Sequence, residues 1–185
     1  GTPQPGLVMV GSHVPLADQQ LELLLAEPDC HGVELPVPRI SRVLEGPTAD
    51  LLLADLERVW LQQLQALLGQ GLTPVLFTSR GELRCVSEHE GRRLSFALAE
   101  LMGRLAAALA PDLGYLISKG GITTQTLLAR CLVLESVQLE GQLLPGLSLV
   151  RPSAGPCSGL PILTFPGNLG RADTLRDAWQ RMEAG

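Results

Sequence analysis

Hydrophobic residues follow two patterns along this chain, short continuous runs and longer stretches with helical spacing. Continuous apolar runs, which are typical of buried strands, occur at residues 7–10, 33–37, 74–78 and 113–118. Apolar residues three or four positions apart, which are typical of amphipathic helices, mark residues 18–26, 48–68, 88–110 and 124–132. Strands and helices that alternate in this way favour a parallel sheet with helices on both faces.

The final third of the chain has a different pattern. Three apolar runs separated by glycines and prolines predict strands at 137–139, 147–150 and 161–165, and a closing helix is predicted at 172–182. Strands that follow one another without a helix between them indicate that the sheet becomes mixed. The predicted fold class is α/β, with a three-layer α/β/α arrangement around a mostly parallel, partly mixed sheet. The segment between 37 and 48, which contains Pro and Gly, is predicted to be a connection.

The composition indicates one globular domain spanning residues 1–185. Hydrophobic residues make up 45% of the chain and charged residues 18%, which fits a folded chain rather than a disordered one. A chain of this length buries enough surface to fold without disulfides or metals. The net charge of −5 and the lack of an arginine stripe argue against nucleic acid as a partner.

Two further features bear on membranes and compartment. The apolar stretch 94–110 is interrupted by Glu100 and Arg104, so it predicts a buried amphipathic helix and no membrane span. The four cysteines form no C-x-x-C pair, and no signal-peptide pattern is present. Reduced thiols and a cytoplasmic location are therefore predicted.

Three glycine-containing loops leave predicted strands and carry the candidate chemistry. They lie at residues 11–13, 119–123 and 166–170. In open α/β sheets, ligands bind where strands end and helices begin. We therefore expect the three loops to face one site.

The middle loop has the strongest pattern. Lys119, the only lysine in the chain, precedes Gly120 and Gly121. Glycines allow a close backbone approach to a ligand, and the first N–H groups of the next helix can face an anion. Thr123 or Thr124 could cap that helix or bond a phosphate oxygen. All other basic residues of the chain are arginines, so the single lysine indicates a need for a compact ammonium at this position. We therefore predict that Lys119 is exposed and lies beside a phosphate.

The local sequence leaves alternatives open. Two glycines before a helix also make an ordinary turn, and a lone lysine is often only solvated. Ser12 in the first loop and Gly167-Asn168 in the third could bind the same ligand or form plain turns. Neither the P-loop nor the dinucleotide-binding fingerprint is present. No nucleophile elbow is present, and the histidines lack metal-ligand spacing, so catalytic residues stay unidentified and no protein-held metal is predicted.

Four ordered segments resemble the C-terminal half of the four-carbon acid sugar kinase family, long known as a domain of unknown function. They are VGSHVPLADQQLELLL, ISKGGITTQTLL, EGQLLPGL and LTFPGNLG, and the resemblance spans residues 7–175. It implies a two-domain kinase in which an N-terminal domain binds the acid sugar and the C-terminal domain binds ATP, with Mg²⁺. This chain would then be the ATP-binding domain. The N-terminal sugar-binding domain, its partner in cis, is absent from the chain.

The resemblance also implies nucleotide contacts in the same three loops. The residues concerned are Ser12, Gly120, Gly121, Ile122, Thr123 and Gly167. Together with Lys119 and Asn168, these form the candidate nucleotide-binding set. Many family members carry an acidic residue where this chain has Ile122 and a glutamate where it has Gln142, so no metal ligand is assigned.

Two functions are compatible with these residues. In the first, the chain is the ATP-binding half of a small-acid kinase. Alone it would bind nucleotide but phosphorylate poorly, because phosphoryl transfer depends on positioning both reactants and this half of the cleft positions only the nucleotide. In the alternative, it is a stand-alone module that binds a nucleotide or an anionic metabolite without catalysis. Such a module could form a homo-oligomer.

Overall fold

The computed structural model describes residues 3–81, 85 and 87–185. Seven strands lie in these residues: β1 (Leu7–Val10), β2 (Cys30–Leu35), β3 (Thr73–Thr78), β4 (Leu116–Lys119), β5 (Val137–Leu144), β6 (Leu147–Pro152) and β7 (Ile162–Phe165). The helices of the same residues are α1 (Pro15–Leu25), α2 (Val37–Glu45), α3 (Ala49–Gly69), α4 (Glu88–Leu109), α5 (Gly121–Thr126) and α6 (Thr174–Glu183).

The strands form one sheet in the order β2-β3-β1-β4-β7-β6-β5. The first five strands in this order are parallel, whereas β6 runs antiparallel to β7 and β5 antiparallel to β6. The predicted α/β class with a mostly parallel, partly mixed sheet is confirmed.

Helices cover both faces of the central strands, so every residue of β1 is buried. Leu7 and Met9 pack with side chains of α3 and α4, such as Leu64. Val8 and Val10 point to the other face. There they join a second core cluster that includes Leu21 and Leu24 of α1 and Leu175 and Ala178 of α6. The alternation of side chains along a strand thus divides the core into two layers.

Helix α4 is the long core helix of the first layer. By length and composition alone, Glu88–Asp112 could cross a membrane. In this fold its apolar positions recur every three or four residues and are buried, among them Leu94, Leu98, Leu101, Leu105 and Leu109. Its start is capped by the Ser87 hydroxyl, which accepts from the Glu90 N–H at 3.1 Å. The segment is the buried amphipathic helix that the sequence predicts.

Several elements differ from the predicted ones. Strand β5 extends to Leu144 instead of ending at residue 139, and β2 covers Cys30–Leu35 instead of residues 33–37. Helix α2 forms where a connection was predicted, because Pro36 and Pro38 preset the first turn of a helix and Ile40 is then buried. Strand β4 begins later than predicted and extends to Lys119. Helix α5 begins at Gly121, three residues before the predicted start, and passes into a π-helical turn at Leu127–Cys131.

A partly buried polar network joins α6 to the amino edge of the sheet. The Thr73 hydroxyl accepts from Trp179 Nε1 at 3.1 Å and donates to Glu183 at 3.2 Å. The Tyr115 hydroxyl donates to the same carboxylate. Burial and this carboxylate raise the pKa of Tyr115 above its usual value, so the phenol stays a donor.

Candidate functional site

Three loops meet at the carboxyl edge of the sheet, because they leave strands that are neighbours in it. Residues 11–13 follow β1, residues 120–123 follow β4, and residues 166–170 follow β7. The chain leaves β1 for α1 on one face of the sheet and leaves β4 for α5 on the other. Such a reversal opens a crevice between two strands, and open α/β sheets bind ligands there.

Backbone hydrogen bonds join the three loops directly. The Gly11 N–H donates to the Lys119 carbonyl at 3.0 Å, and the Gly120 N–H donates to the Phe165 carbonyl at 2.9 Å. In the sheet register, Lys119 pairs with Val10 on one side and Phe165 on the other. The last residue of β4 is therefore the common neighbour of all three loops.

Close approach between the loops requires glycine at three positions. A Cβ at Gly11 would lie 2.0 Å from Thr123 Oγ1, and one at Gly167 would lie 2.7 Å from Ser12 Oγ. Gly120 has φ of +118°, a conformation that other residues rarely adopt, and a Cβ there would stand 3.3 Å from the Ser12 nitrogen. These glycines bring the two hydroxyl-bearing loops together.

Gly121 and Ile122 point away from this packed junction. A Cβ at Gly121 would meet no described atom within 4 Å, so the loop has open space in front of it. The Ile122 side chain is 48% exposed. Both residues are exposed, which leaves room for a ligand beside them.

The hydroxyls of Ser12 and Thr123 lie at the junction of the loops. Neither forms a hydrogen bond with another described residue, although Thr123 is only 5% exposed. Thr124 has a different role, since its hydroxyl bonds the Ser118 hydroxyl at 2.9 Å and the Ser118 carbonyl at 3.0 Å. It ties α5 to β4, and neither threonine caps the helix, because the helix begins before them.

The prediction that Lys119 is exposed is wrong. Its side chain has no solvent exposure, because β4 extends through Lys119 and this position faces the α1–α6 layer. Nζ donates to the Pro166 and Gly167 carbonyls, both at 3.1 Å, and lies 4.0 Å from the centre of the Phe165 ring. Burial lowers the pKa of Lys119 to about 8, so it is still mostly charged at pH 7.

The sequence did not reveal the side chains that hold the first loop in place. Arg80, after β3, donates to the Ser12 carbonyl and to the Asp18 carboxylate. Next to it, His13 Nε2 lies 2.8 Å from Thr78 Oγ1, and burial and then the Arg80 charge lower the pKa of His13. These partners are more than 60 residues apart in sequence, so no local pattern could reveal them.

Among the cavities lined by described residues, two adjoin the loops and another lies at the amino edge of the sheet. One of about 530 Å³ is lined by His13, Asp18, Ser79 and Arg80, and a small one of about 90 Å³ lies between Gly11, Ile122 and Thr123. A larger cavity of about 760 Å³ lies at the amino edge, next to Tyr115 and Glu183. Within the described parts of the chain, no group of three or more His, Cys, Asp or Glu is arranged to hold a metal ion.

Comparison with known proteins assigns the family. The profile of the family described as nucleotide-binding C-terminal domain matches residues 7–175. The chain belongs to this family. The match confirms the predicted resemblance to the C-terminal domain of the four-carbon acid sugar kinase family. No curated protein matches this nucleotide-binding domain at a significant level.

Solved structures resemble the nucleotide-binding domain in fold. A Bordetella bronchiseptica protein with a domain of unknown function, DUF1537, was solved in two crystal forms as a domain-swapped dimer with bound citrate. The forms give TM-scores of 0.73 and 0.71 at 22% and 23% identity over 97% and 98% of this chain. A Salmonella typhimurium LT2 protein, provisionally described as a tRNA synthase, gives 0.66 at 15% identity over 96% of this chain. The chain covers only 40–41% of these proteins.

Proposed function

We propose that this chain is the ATP-binding domain of a kinase that phosphorylates a small, four-carbon acid sugar. Phosphate would pass from ATP to the sugar in a cleft between this domain and an N-terminal sugar-binding domain in the same protein. The family match supports the nucleotide, and the chain's share of its solved relatives, about two fifths of their length, leaves room for a second domain. The citrate bound by the Bordetella protein is a small carboxylate-bearing ligand, as an acid sugar is.

The observation that carries the proposal is the meeting of the loops after β1, β4 and β7 in the crevice beside β1. Phosphate oxygens need several donors that converge on one point. The hydroxyls of Ser12 and Thr123 lack protein partners among the described residues, and the space before Gly121 is open. This junction therefore offers both donors and room.

Side chains of the three loops would contribute little to neutralising the charge of bound phosphates. Lys119 is turned inward, and Arg80 is bonded to Asp18 and Ser12. The loops themselves carry no exposed lysine or arginine side chain. When bound with ATP, Mg²⁺ would supply positive charge, and the loops would orient the phosphate chain. No carboxylate of this chain is assigned to the ion.

Thermal unfolding tests nucleotide binding. Mg-ATP or Mg-ADP at a hundredfold excess over its Kd should stabilise the chain by about 2.7 kcal/mol. For a domain of this size, Tm should rise by roughly 5–11 °C. Mg²⁺ alone is the control and should have a much smaller effect. An unchanged Tm at millimolar Mg-ATP and Mg-ADP would contradict the proposal.

A further inference from the structure

The loop after β7 contains two backbone N–H groups without a protein partner. Among the described residues, neither the Gly167 N–H nor the Asn168 N–H donates to any acceptor. Gly167 is half-buried and Asn168 is exposed. The turn is closed only by the Leu169 N–H, which donates to the Pro166 carbonyl at 3.4 Å.

Lys119 determines which way these two N–H groups point. Within a trans peptide unit, the carbonyl and the next N–H point in opposite directions. The Pro166 and Gly167 carbonyls both point at Lys119 Nζ, which is buried beneath the loop in the protein interior. The N–H groups of Gly167 and Asn168 must therefore face away from Lys119. Successive N–H groups oriented alike form a concave anion-binding surface.

The geometry also places this surface at the proposed site. Gly167 lies against Ser12, because a Cβ on Gly167 would be only 3.2 Å from Ser12 Cβ. The backbone of Lys119 accepts from Gly11, so the residue that orients the third loop also holds the first. The described surroundings of Nζ contain carbonyls and the Phe165 ring but no carboxylate. Among the described residues, the Lys119 ammonium therefore bonds only groups of the loop after β7.

We propose that Lys119 is a positioning residue for the nucleotide: it holds the Pro166 and Gly167 carbonyls inward so that the Gly167 and Asn168 N–H groups donate to a bound phosphate. Lys119 itself does not touch the phosphate. This inference rests on the proposed nucleotide-binding function. It explains why a lysine, with three donors on a flexible stem, stands at the end of a buried strand.

The test compares amide resonances of the ¹⁵N-labelled 185-residue chain with and without saturating Mg-ADP at pH 7. In the wild type, the Gly167 and Asn168 amides should shift along with the Gly121 amide. In Lys119→Met, which keeps the unbranched apolar stem and removes the ammonium with its three donors, Mg-ADP should bind at least about tenfold more weakly. At saturation the Gly121 amide should still shift, and the Gly167 and Asn168 amides should not.

Thr73→Val is the control for lost stability. It removes a buried hydroxyl that bonds Trp179 at the amino edge, far from the three loops, and should leave affinity within about twofold of the wild type. Lys119→Met with wild-type affinity and wild-type shifts would overturn the inference. If Lys119→Met does not fold, the wild type alone decides, because a shift at Gly121 without shifts at Gly167 and Asn168 would also overturn it. A wild type that binds no Mg-ADP would refute the proposed function itself, which is a distinct result.

Discussion

Valine in place of Gly121 is expected to weaken Mg-ATP binding by at least about 100-fold, a loss of about 2.7 kcal/mol. A Cβ at Gly121 meets no described protein atom within 4 Å, so the new side chain starts in the open space that the phosphate chain would occupy. For the same reason, the fold should tolerate it. The Tm of the free chain should change by no more than about 4 °C, which corresponds to about 1 kcal/mol for a domain of this size. Calorimetric titration with Mg-ATP gives the affinity.

Gly69→Val is the matched control for this experiment. Gly69 ends α3 at the opposite edge of the sheet, and a Cβ there also meets no described atom within 4 Å. The same substitution in equally open space should leave Mg-ATP affinity unchanged. If Gly121→Val binds Mg-ATP as well as Gly69→Val does, no phosphate lies in front of the loop after β4, and the proposed site is wrong.

The 185-residue chain alone should transfer phosphate from ATP to four-carbon acid sugars very slowly. Holding two reactants in line contributes roughly 7–11 kcal/mol to catalysis, and phosphoryl transfer depends mostly on such positioning. Without a sugar-binding domain, we expect a rate at least about 1,000-fold below that of the same domain joined to one. A coupled assay of ADP release with threonate and erythronate measures this difference.

The control for this assay is nucleotide binding by the same preparation. We expect that Mg-ADP stabilises the chain and that the chain does not turn over acid sugar. This result would mean that the chain is folded but lacks groups needed for phosphoryl transfer. Rapid phosphorylation by the isolated chain would mean that the acceptor site and the catalytic base both lie within these residues. The two-domain account would then fail.

Periodicity predicted most of the fold because most of the elements are long or strongly apolar. The run at β1 and the heptad-like spacing in α4 leave little choice of element or of buried face. Helix α2 escaped prediction because it is short and flanked by prolines, which also mark connections. Its apolar face is visible only in the structure, where Val37 and Ile40 are buried in the core layer that also contains side chains of α3.

The loops of the site could be identified from sequence, but the direction of their side chains could not. Lysine is rarely buried, so a lone lysine beside two glycines suggested an exposed charge. Its burial depends on Phe165 and Pro166, about 46 residues away. The Arg80 bond to Ser12 spans 68 residues. Such contacts arise from strand order, which local patterns do not determine.

The central claim is that nucleotide binds at the carboxyl edge of the sheet, where the three loops meet. Hydrogen exchange of the chain with and without Mg-ADP, followed by mass spectrometry of peptides, tests the position directly. We expect slower exchange in peptides that cover residues 10–15, 118–125 and 165–170. Slower exchange confined to residues 110–115, 156–161 and 181–185, which line the 760 Å³ cavity at the amino edge, would contradict the account.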